Sequence, residues 1–161
     1  RYFVARNAVV LLVGDLDDAT AHAIAARVAG ALPAGEPAPP LAPLPTTTPG
    51  VTEHIEFASA QTHVLLGEVG VARGDPDYFP LLLGNHVLGG NGVVSMLFDE
   101  IREKRGLSYG AGSHFEPMRL AGPFVASLET RAGQRDAAVK VLREVVADFV
   151  AHGPTLSLIH I

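Results

Sequence analysis

Residues 89–109 read GGNGVVSMLFDEIREKRGLSY, and this stretch decides the fold because it holds the clearest amphipathic pattern in the chain. Four apolar residues recur at the spacing i, i+3, i+4 and i+7, which places them on one face of an α-helix. They are Val94, Leu97, Phe98 and Ile101. The opposite face is charged and carries Asp99, Glu100, Glu103 and Lys104. The pattern therefore predicts a helix that packs on the rest of the domain through one face.

Both ends of this helix have recognisable sequence signals. Ser95 or Asn91 can cap the first turn, since short polar side chains accept hydrogen bonds from the free N–H groups at a helix N-terminus. A last turn with basic residues precedes Gly106, as expected for a helix that a glycine closes. We expect Tyr109 to lie on the strand that follows.

Arg102 and Tyr109 form the candidate functional pair. They are seven positions apart (109 − 102) across a helix end and a glycine turn, so both side chains can reach one point. A guanidinium offers forked N–H donors and a phenol offers one more, which suits holding a peptide backbone or stabilising an oxyanion. A structural interpretation stays open beside this one, in which Arg102 pairs with Asp99 one turn back and Tyr109 faces the core.

The run LFDEIREKRGLSYG, preceded by NHVLGGNG and followed by AGPFVASLET, resembles the C-terminal half of the insulinase, or pitrilysin-type, zinc metallopeptidases. The resemblance extends over roughly Tyr2 to Pro154 and includes the strand-like segment NAVVLLVGDLD. In that family an arginine and a tyrosine at this spacing bind the substrate backbone and help to stabilise the transition state. The resemblance therefore implies catalytic roles for Arg102 and Tyr109.

The resemblance also implies that the zinc site lies elsewhere. The family binds zinc through an inverted His-x-x-Glu-His motif on a helix, and no such run occurs in this sequence. We expect this segment to supply no metal ligand and to be inactive by itself, with zinc in the complete enzyme held by another domain or subunit. The implied partners are an N-terminal half of the same protein, a zinc-bearing homologous subunit in a dimer, and a peptide substrate.

The seven histidines offer only weak candidates for metal binding. His54 with Glu56 and His114 with Glu116 are i, i+2 pairs on predicted strands, where the two side chains share a face. Such pairs are more often a solvated surface than a metal site. His86, on the inner side of a predicted helix, is expected to be partly buried with a hydrogen-bond partner.

A glycine cluster before the central helix is a candidate substrate-binding loop. Its members are Gly89, Gly90, Asn91 and Gly92. A phosphate cradle is a weak alternative, because the lysine and Ser/Thr of a Walker loop are missing. The cluster resembles a short version of the glycine-rich loop that contacts substrate in the noncatalytic subunits of mitochondrial processing peptidase. Glycine also permits simple turning, so a flexible helix entry is an equal alternative.

Composition limits the classes of function. At 161 residues and 48% hydrophobic content, the chain is large enough for one domain with a core. We predict a single domain over residues 1–155, belonging to a longer chain, and an atypical tail over residues 156–161. A net charge of −5 without a basic stripe argues against nucleic acid as a partner, and no apolar run is long enough to span a bilayer. The absence of cysteine leaves the compartment open, with a bacterial periplasm or cell envelope as our expectation.

The hydrophobic pattern predicts an α+β fold with a mixed or antiparallel sheet and helices packed on one face. The predicted strands are Asn7–Asp15, Val51–Ala58, Thr62–Val69, Ser108–Phe115 and Phe124–Glu129. Further helices are predicted after a cap at Asp17 or Asp18, after Asp75, and over Ala137–Val150. The predicted inner side of the helix after Asp75 is Phe79, Leu82, Leu83, His86 and Val87.

Two functions follow from the pattern and the resemblance. The first is the substrate-binding C-terminal half of an insulinase-type zinc endopeptidase, which contributes Arg102 and Tyr109 to the cleavage of peptides. The alternative is a noncatalytic scaffold subunit of the same fold, like the core proteins of the respiratory bc1 complex. The intact Arg–Tyr pair favours the first, because a scaffold has no use for both residues.

Overall fold

The structure is a computed structural model that describes residues 2–44, 50–155 and 157. The chain forms two compact units, Arg1–Pro43 and Leu44–Ile161. The predicted tail, residues 156–161, lies outside the described residues except for Ser157. Within the described part of the chain, no helix is long and apolar enough to cross a membrane.

The first unit contains a 3₁₀ turn, Ala5–Asn7, and helix α1, Asp18–Gly30. The carboxylate of Asp17 caps α1 by accepting a hydrogen bond from the Thr20 N–H at 2.7 Å, and this bond lowers the pKa of Asp17. The helix predicted at this place is therefore confirmed, with Asp17 as its cap.

The strand predicted at Asn7–Asp15 is wrong. The segment makes no strand ladder, and its alternating residues Val9, Leu11 and Val13 are exposed. A strand exists only where a neighbouring strand accepts its backbone hydrogen bonds. Among residues 2–43 the structure contains no such neighbour, so the β-branched pattern alone does not produce a strand here.

The second unit is built on a three-stranded antiparallel sheet with the order β1-β3-β2. The strands are β1, Gln61–Val69; β2, Ala111–Phe115; and β3, Pro123–Arg131. In the register, Gln61 lies opposite Arg131 and Ala111 lies opposite Leu128. The α+β class with an antiparallel sheet is thus as predicted, and these strands overlap three of the predicted ones.

The strand predicted at Val51–Ala58 is also wrong. The segment forms no ladder with β1, and its apolar residues Val51, Ile55 and Phe57 are exposed. An alternating pattern indicates an extended backbone, whereas pairing depends on the register and edge of a neighbouring strand. The alternating pattern therefore encodes the extended backbone but not the pairing with another strand.

In the second unit, helical segments lie between β1 and β2 and again after β3. Helix α2 is Tyr78–Asn85, and a π-helical turn, His86–Gly90, continues it. A 3₁₀ turn, Gly92–Val94, leads to the central helix, which comprises an α-helical turn α3, Met96–Phe98, and a π-helical turn, Asp99–Glu103. A 3₁₀ turn, Ala132–Gln134, then leads to helix α4, Arg135–His152.

The core lies between one face of the sheet and the helices. Its buried members are Leu88, Leu97, Ile101, Ala111, Ala126, Leu128, Ala138, Leu142 and Val145. The predicted apolar stripe of the central helix is confirmed for Leu97, Phe98 and Ile101, which are all buried. Val94 is the exception and is exposed, because the extended backbone of Ser95 starts the helix afresh after it.

The predicted inner side of α2 is wrong. Phe79 and Leu83 are exposed, and so is His86, while Tyr78 and Asn85 are buried instead. This helix has apolar residues on nearly every side, so its periodicity does not single out one face. Hydrogen bonds decide the orientation: the Asn85 Nδ2 donates to the Ser113 carbonyl oxygen at 3.0 Å, and the Ser113 hydroxyl donates to the Asn85 Oδ1 at 2.6 Å.

Candidate functional site

Arg102 stands at the centre of the candidate site. Its guanidinium carbon lies 4.7 Å from the ring centroid of Phe98 and 4.7 Å from that of Tyr109. Phe98 is only 7% exposed and belongs to the buried side, whereas Tyr109 is 82% exposed. These three residues, named here the Arg102 cluster, bring the predicted pair together with a third member that was not predicted.

The guanidinium of Arg102 keeps its N–H donors available. Its nearest carboxylate is Glu103, with Nε and Oε1 3.7 Å apart, which is too long for a hydrogen bond. Within the described part of the chain Arg102 makes no side-chain hydrogen bond, and its side chain is 35% exposed. The pairing with Asp99 that sequence left open does not occur, nor does Tyr109 face the core.

The neighbouring basic residues, Lys104 and Arg105, differ from Arg102 because both are paired with carboxylates. The Lys104 Nζ lies 2.9 Å from the Asp99 Oδ2 and 2.5 Å from the Glu100 Oε1. The Arg105 Nη1 lies 2.5 Å from the Glu100 Oε2 and donates to the Glu100 carbonyl oxygen at 2.7 Å. We name these four residues the carboxylate cluster. It confirms the predicted Glu100–Lys104 pair and holds both carboxylates away from Arg102.

This arrangement changes the titration of Glu100. The hydrogen bond from Lys104, followed by that from Arg105, lowers the pKa of Glu100 below its usual range. The pKa of Lys104 rises because of its bonds to Glu100 and Asp99. Glu100 is therefore a carboxylate and Lys104 an ammonium at neutral pH.

The helix end brings Tyr109 back toward Arg102. Gly106 has a φ of +58°, and its N–H donates to the Arg102 carbonyl oxygen at 2.8 Å, so the predicted closing glycine is confirmed. The Leu107 N–H then donates to the Ile101 carbonyl oxygen at 2.9 Å. The chain reverses within this turn, which explains how residues seven positions apart come into contact.

Strand β3 holds the loop that carries Tyr109. The Thr130 hydroxyl donates to the Leu107 carbonyl oxygen at 2.5 Å. The Ser108 hydroxyl lies 2.6 Å from the Glu129 carbonyl oxygen and accepts from the Gly110 N–H at 3.2 Å. Tyr109 therefore precedes β2 and does not lie on it, which corrects the prediction: these bonds hold residues 107–110 in a loop.

Close packing and backbone conformation explain why glycine occurs in the glycine cluster. Gly89 is buried, and a Cβ there would lie 2.5 Å from the Ser113 backbone nitrogen and 2.7 Å from the Leu97 Cδ1. A Cβ on Gly90 would lie 3.1 Å from the Asn85 carbonyl oxygen. Gly92 has a φ of +51°, which favours glycine. Gly90 and Gly92 are exposed and Asn91 is half-buried, so only this part of the cluster faces outward.

Both predicted histidine–glutamate pairs are in contact, and the His54 Nδ1 also lies 2.9 Å from the Arg135 Nη1. The His54 Nε2 lies 2.9 Å from the Glu56 Oε1, and the His114 Nε2 lies 3.3 Å from the Glu116 Oε1. His86, predicted to be partly buried, is exposed, because it follows the outward side of α2. Across the described ranges, three or more potential metal ligands do not come together anywhere.

Sequence analysis missed Phe98 and the two hydroxyls of Ser108 and Thr130 as parts of this site. Phe98 was assigned to the core alone, yet it stands four positions before Arg102, a spacing at which helical side chains meet. That spacing is the signal that could have found it. No sequence signal points to Thr130, because its partner is a backbone carbonyl 23 positions away.

Comparison with known proteins gives the family. A family model described as the peptidase M16 inactive domain matches residues 1–160. A protein of Streptomyces coelicolor named as an uncharacterised zinc protease is 36% identical over 124 residues, covering 76% of this chain and 27% of that protein. A Bacillus subtilis protein with the same kind of name is 30% identical over 95 residues, covering 59% of this chain and 23% of that protein.

A solved structure agrees with these matches. The peptidase M16 inactive domain from Pseudomonas fluorescens has a TM-score of 0.90 and 43% identity, and the match covers 97% of this chain and 38% of that chain. The class is therefore that of metallopeptidase-related α+β domains. Within it, the chain belongs to the peptidase M16 family, of the insulinase type, and corresponds to the inactive C-terminal domain of that family. It spans about a quarter of the length of the two curated relatives.

Proposed function

We propose that this chain is the substrate-binding C-terminal half of an insulinase-type zinc endopeptidase, in which Arg102 and Tyr109 hold the peptide backbone. The observation that carries the proposal is the state of Arg102. Its charge is not neutralised at hydrogen-bond distance, its donors are available, and its guanidinium lies against two aromatic rings. Because its side chain is 35% exposed and makes no hydrogen bond to the described protein, a ligand can take these donors in exchange for water.

The chemistry of the pair suits an extended peptide. The guanidinium of Arg102 presents forked donors that match carbonyl oxygens, and the phenol of Tyr109 adds a donor from an exposed side chain. As the scissile carbonyl becomes tetrahedral its oxygen gains negative charge, and donors already in position stabilise that charge without reorganising. This chain would therefore grip the substrate and lower the barrier, while the bond-breaking groups lie elsewhere.

Zinc enters the proposal only through other parts of the assembly. Relatives of this chain are named zinc proteases, but the sequence has no His-x-x-Glu-His run and the described residues contain no cluster of three ligands. Zinc held by an N-terminal half or by a homologous subunit would supply the activated water. The proposed partners are accordingly that half, a zinc-bearing subunit in a dimer, and the peptide itself.

The two halves of the glycine cluster have different roles in this proposal. Gly89 and Gly90 are needed for close packing against β2 and α2. Asn91 is half-buried and Gly92 is exposed, so this end of the cluster is where an extended substrate can approach the backbone closely. The substrate-binding part of Gly89, Gly90, Asn91 and Gly92 is thus the second half of the cluster.

The test is turnover of a quenched fluorescent peptide by the full-length protein, assembled with its zinc-bearing partner if zinc is on a separate chain. Arg102→Ala is expected to lower kcat/KM by about 10²- to 10³-fold, the usual effect of removing one transition-state donor. Assembly and thermal unfolding should be close to wild type, since the Arg102 side chain makes no hydrogen bond in the described structure and its backbone bond is kept in the variant. Wild-type turnover by Arg102→Ala would instead support a noncatalytic scaffold.

A further inference from the structure

The Arg102 cluster has one fixed side and one movable side. The ring of Phe98 is buried, and its backbone N–H is held at the start of the central helix by the Ser95 hydroxyl oxygen at 3.4 Å. Tyr109 is exposed and stands on a loop. A ligand can therefore displace the Tyr109 ring, whereas Phe98 keeps its place whether or not substrate is bound.

We propose that Phe98 is a positioning residue, whose ring face orients the Arg102 guanidinium toward the substrate backbone. This inference rests on the proposed function of Arg102. Phe98 itself touches no substrate, because its side chain lies in the core under the arginine. It acts through Arg102 alone.

An aromatic ring can orient an arginine without occupying the N–H donors that would bind the substrate. A carboxylate orients a guanidinium by occupying its N–H donors, as Glu100 does for Arg105. An aromatic face attracts the cation through its π-electrons and leaves the N–H edge unoccupied. Phe98 thus restricts the side chain of Arg102 while every donor stays available for a carbonyl oxygen.

The sequence spacing makes this support part of the helix. Phe98 and Arg102 are four positions apart, and in an α-helix such residues lie one above the other on the same face. The turn between them is π-helical, from Asp99 to Glu103, and it brings the guanidinium carbon to 4.7 Å from the ring centroid. A substitution of Phe98 by another apolar residue therefore removes the ring that supports Arg102, while the apolar pattern of the helix stays the same.

The experiment is a double-mutant cycle on kcat/KM in the full-length assembled protein, with Phe98→Leu, Arg102→Ala and the double variant. Phe98→Leu is expected to lower kcat/KM about 5- to 30-fold, the range that corresponds to loss of a cation–π contact. In the Arg102→Ala background the same substitution should change kcat/KM by less than about twofold, because the group it positions is gone. Phe149→Leu is the matched control, since Phe149 is a half-buried phenylalanine on α4 whose ring makes no cation–π or ring–ring contact with the Arg102 cluster among the described residues.

A second variant and a second readout cover the event that Phe98→Leu folds poorly. Phe98→Tyr keeps the ring and should retain turnover within about threefold of wild type. In NMR spectra of the protein, the Arg102 Nε–H resonance should show a ring-current shift that persists in Phe98→Tyr and is reduced in Phe98→Leu. Loss of turnover in Phe98→Tyr with an unchanged arginine resonance would overturn the inference.

The outcomes separate this inference from the proposed function. If Arg102→Ala abolishes turnover but Phe98→Leu is like wild type, the positioning role is wrong and the proposed function stands. If Phe98→Leu costs as much in the Arg102→Ala background as alone, Phe98 is structural and the inference is again wrong. If Arg102→Ala itself has no effect, the proposed function fails together with the inference.

Discussion

Arg102 and Arg105 leave the same helix end three positions apart, and their surroundings are opposite. Arg105 donates to a carboxylate and a carbonyl of Glu100, whereas Arg102 lies against two aromatic rings. A guanidinium bound to a carboxylate has its charge and donors satisfied, while one held by rings has both available. Position in the sequence therefore does not distinguish an arginine whose donors are used within the protein from one whose donors stay available, whereas the type of neighbour does.

Among substitutions that keep the overall size or charge of a side chain, the largest effect is expected from changing the shape of the Arg102 cation. Arg102→Lys loses the planar fork and the stacked guanidinium, so we expect kcat/KM to fall about 10- to 100-fold. Arg105→Lys is the matched control, and it should stay within about threefold because a lysine ammonium still pairs with Glu100. Equal losses in both variants would contradict the distinction between the two arginines.

A smaller effect is expected at the side of the cluster that holds Tyr109. Thr130→Val keeps the shape of the side chain but removes the donor to the Leu107 carbonyl oxygen, so the variant should unfold with about 1–3 kcal/mol less stability. Urea denaturation measures this change. Thr62→Val is the control, because Thr62 lies opposite Thr130 in the sheet and makes no side-chain hydrogen bond within the described residues.

If Thr130 supports the loop as described, turnover by its valine variant should also fall several-fold, since the phenol of Tyr109 loses its fixed place. Stability and turnover that both match those of Thr62→Val would show that this bond does not hold the loop.

The smallest effect is expected in the carboxylate cluster. The lowered pKa of Glu100 means that its contribution to stability is complete above the ordinary glutamate pKa and is lost as pH falls through the lowered value. Glu100→Gln should therefore cost less than about 1 kcal/mol at neutral pH, because its basic partners are about half exposed and solvent weakens the ion pairs. The substitution should also flatten the acid side of the stability profile. Denaturation midpoints between neutral pH and about pH 3 test both expectations.

Turnover by Glu100→Gln should remain near that of wild type at neutral pH. A large loss of activity in this variant would mean that the carboxylate cluster takes part in the site and is not a separate, structural neighbour.

The sequence predicted well wherever a local signal determines a local structure. Gly106 closes the central helix, Ser95 caps it, and Leu97 and Ile101 enter the core, because each depends on residues within one or two turns. The contact between Arg102 and Tyr109 belongs to the same group, since the turn that joins them is only a few residues long.

The failures share a dependence on distant partners. Asn7–Asp15 and Val51–Ala58 have the composition of strands, but ladders require a neighbour that no local pattern supplies. In α2 the buried side is set by the bonds between Asn85 and Ser113, 28 positions apart. The support of Tyr109 by Thr130 is likewise non-local, so no local pattern predicts it.

The most direct test of the central claim is the kcat/KM ratio of Arg102→Ala to Arg105→Ala, measured with one peptide in the complete, zinc-loaded assembly. The two substitutions remove the same group from the same helix end, so general effects of the change cancel. The account predicts a ratio of about 10⁻² or lower, because only Arg102 has donors available for the substrate. A ratio near one, with both variants folded and assembled, would contradict it.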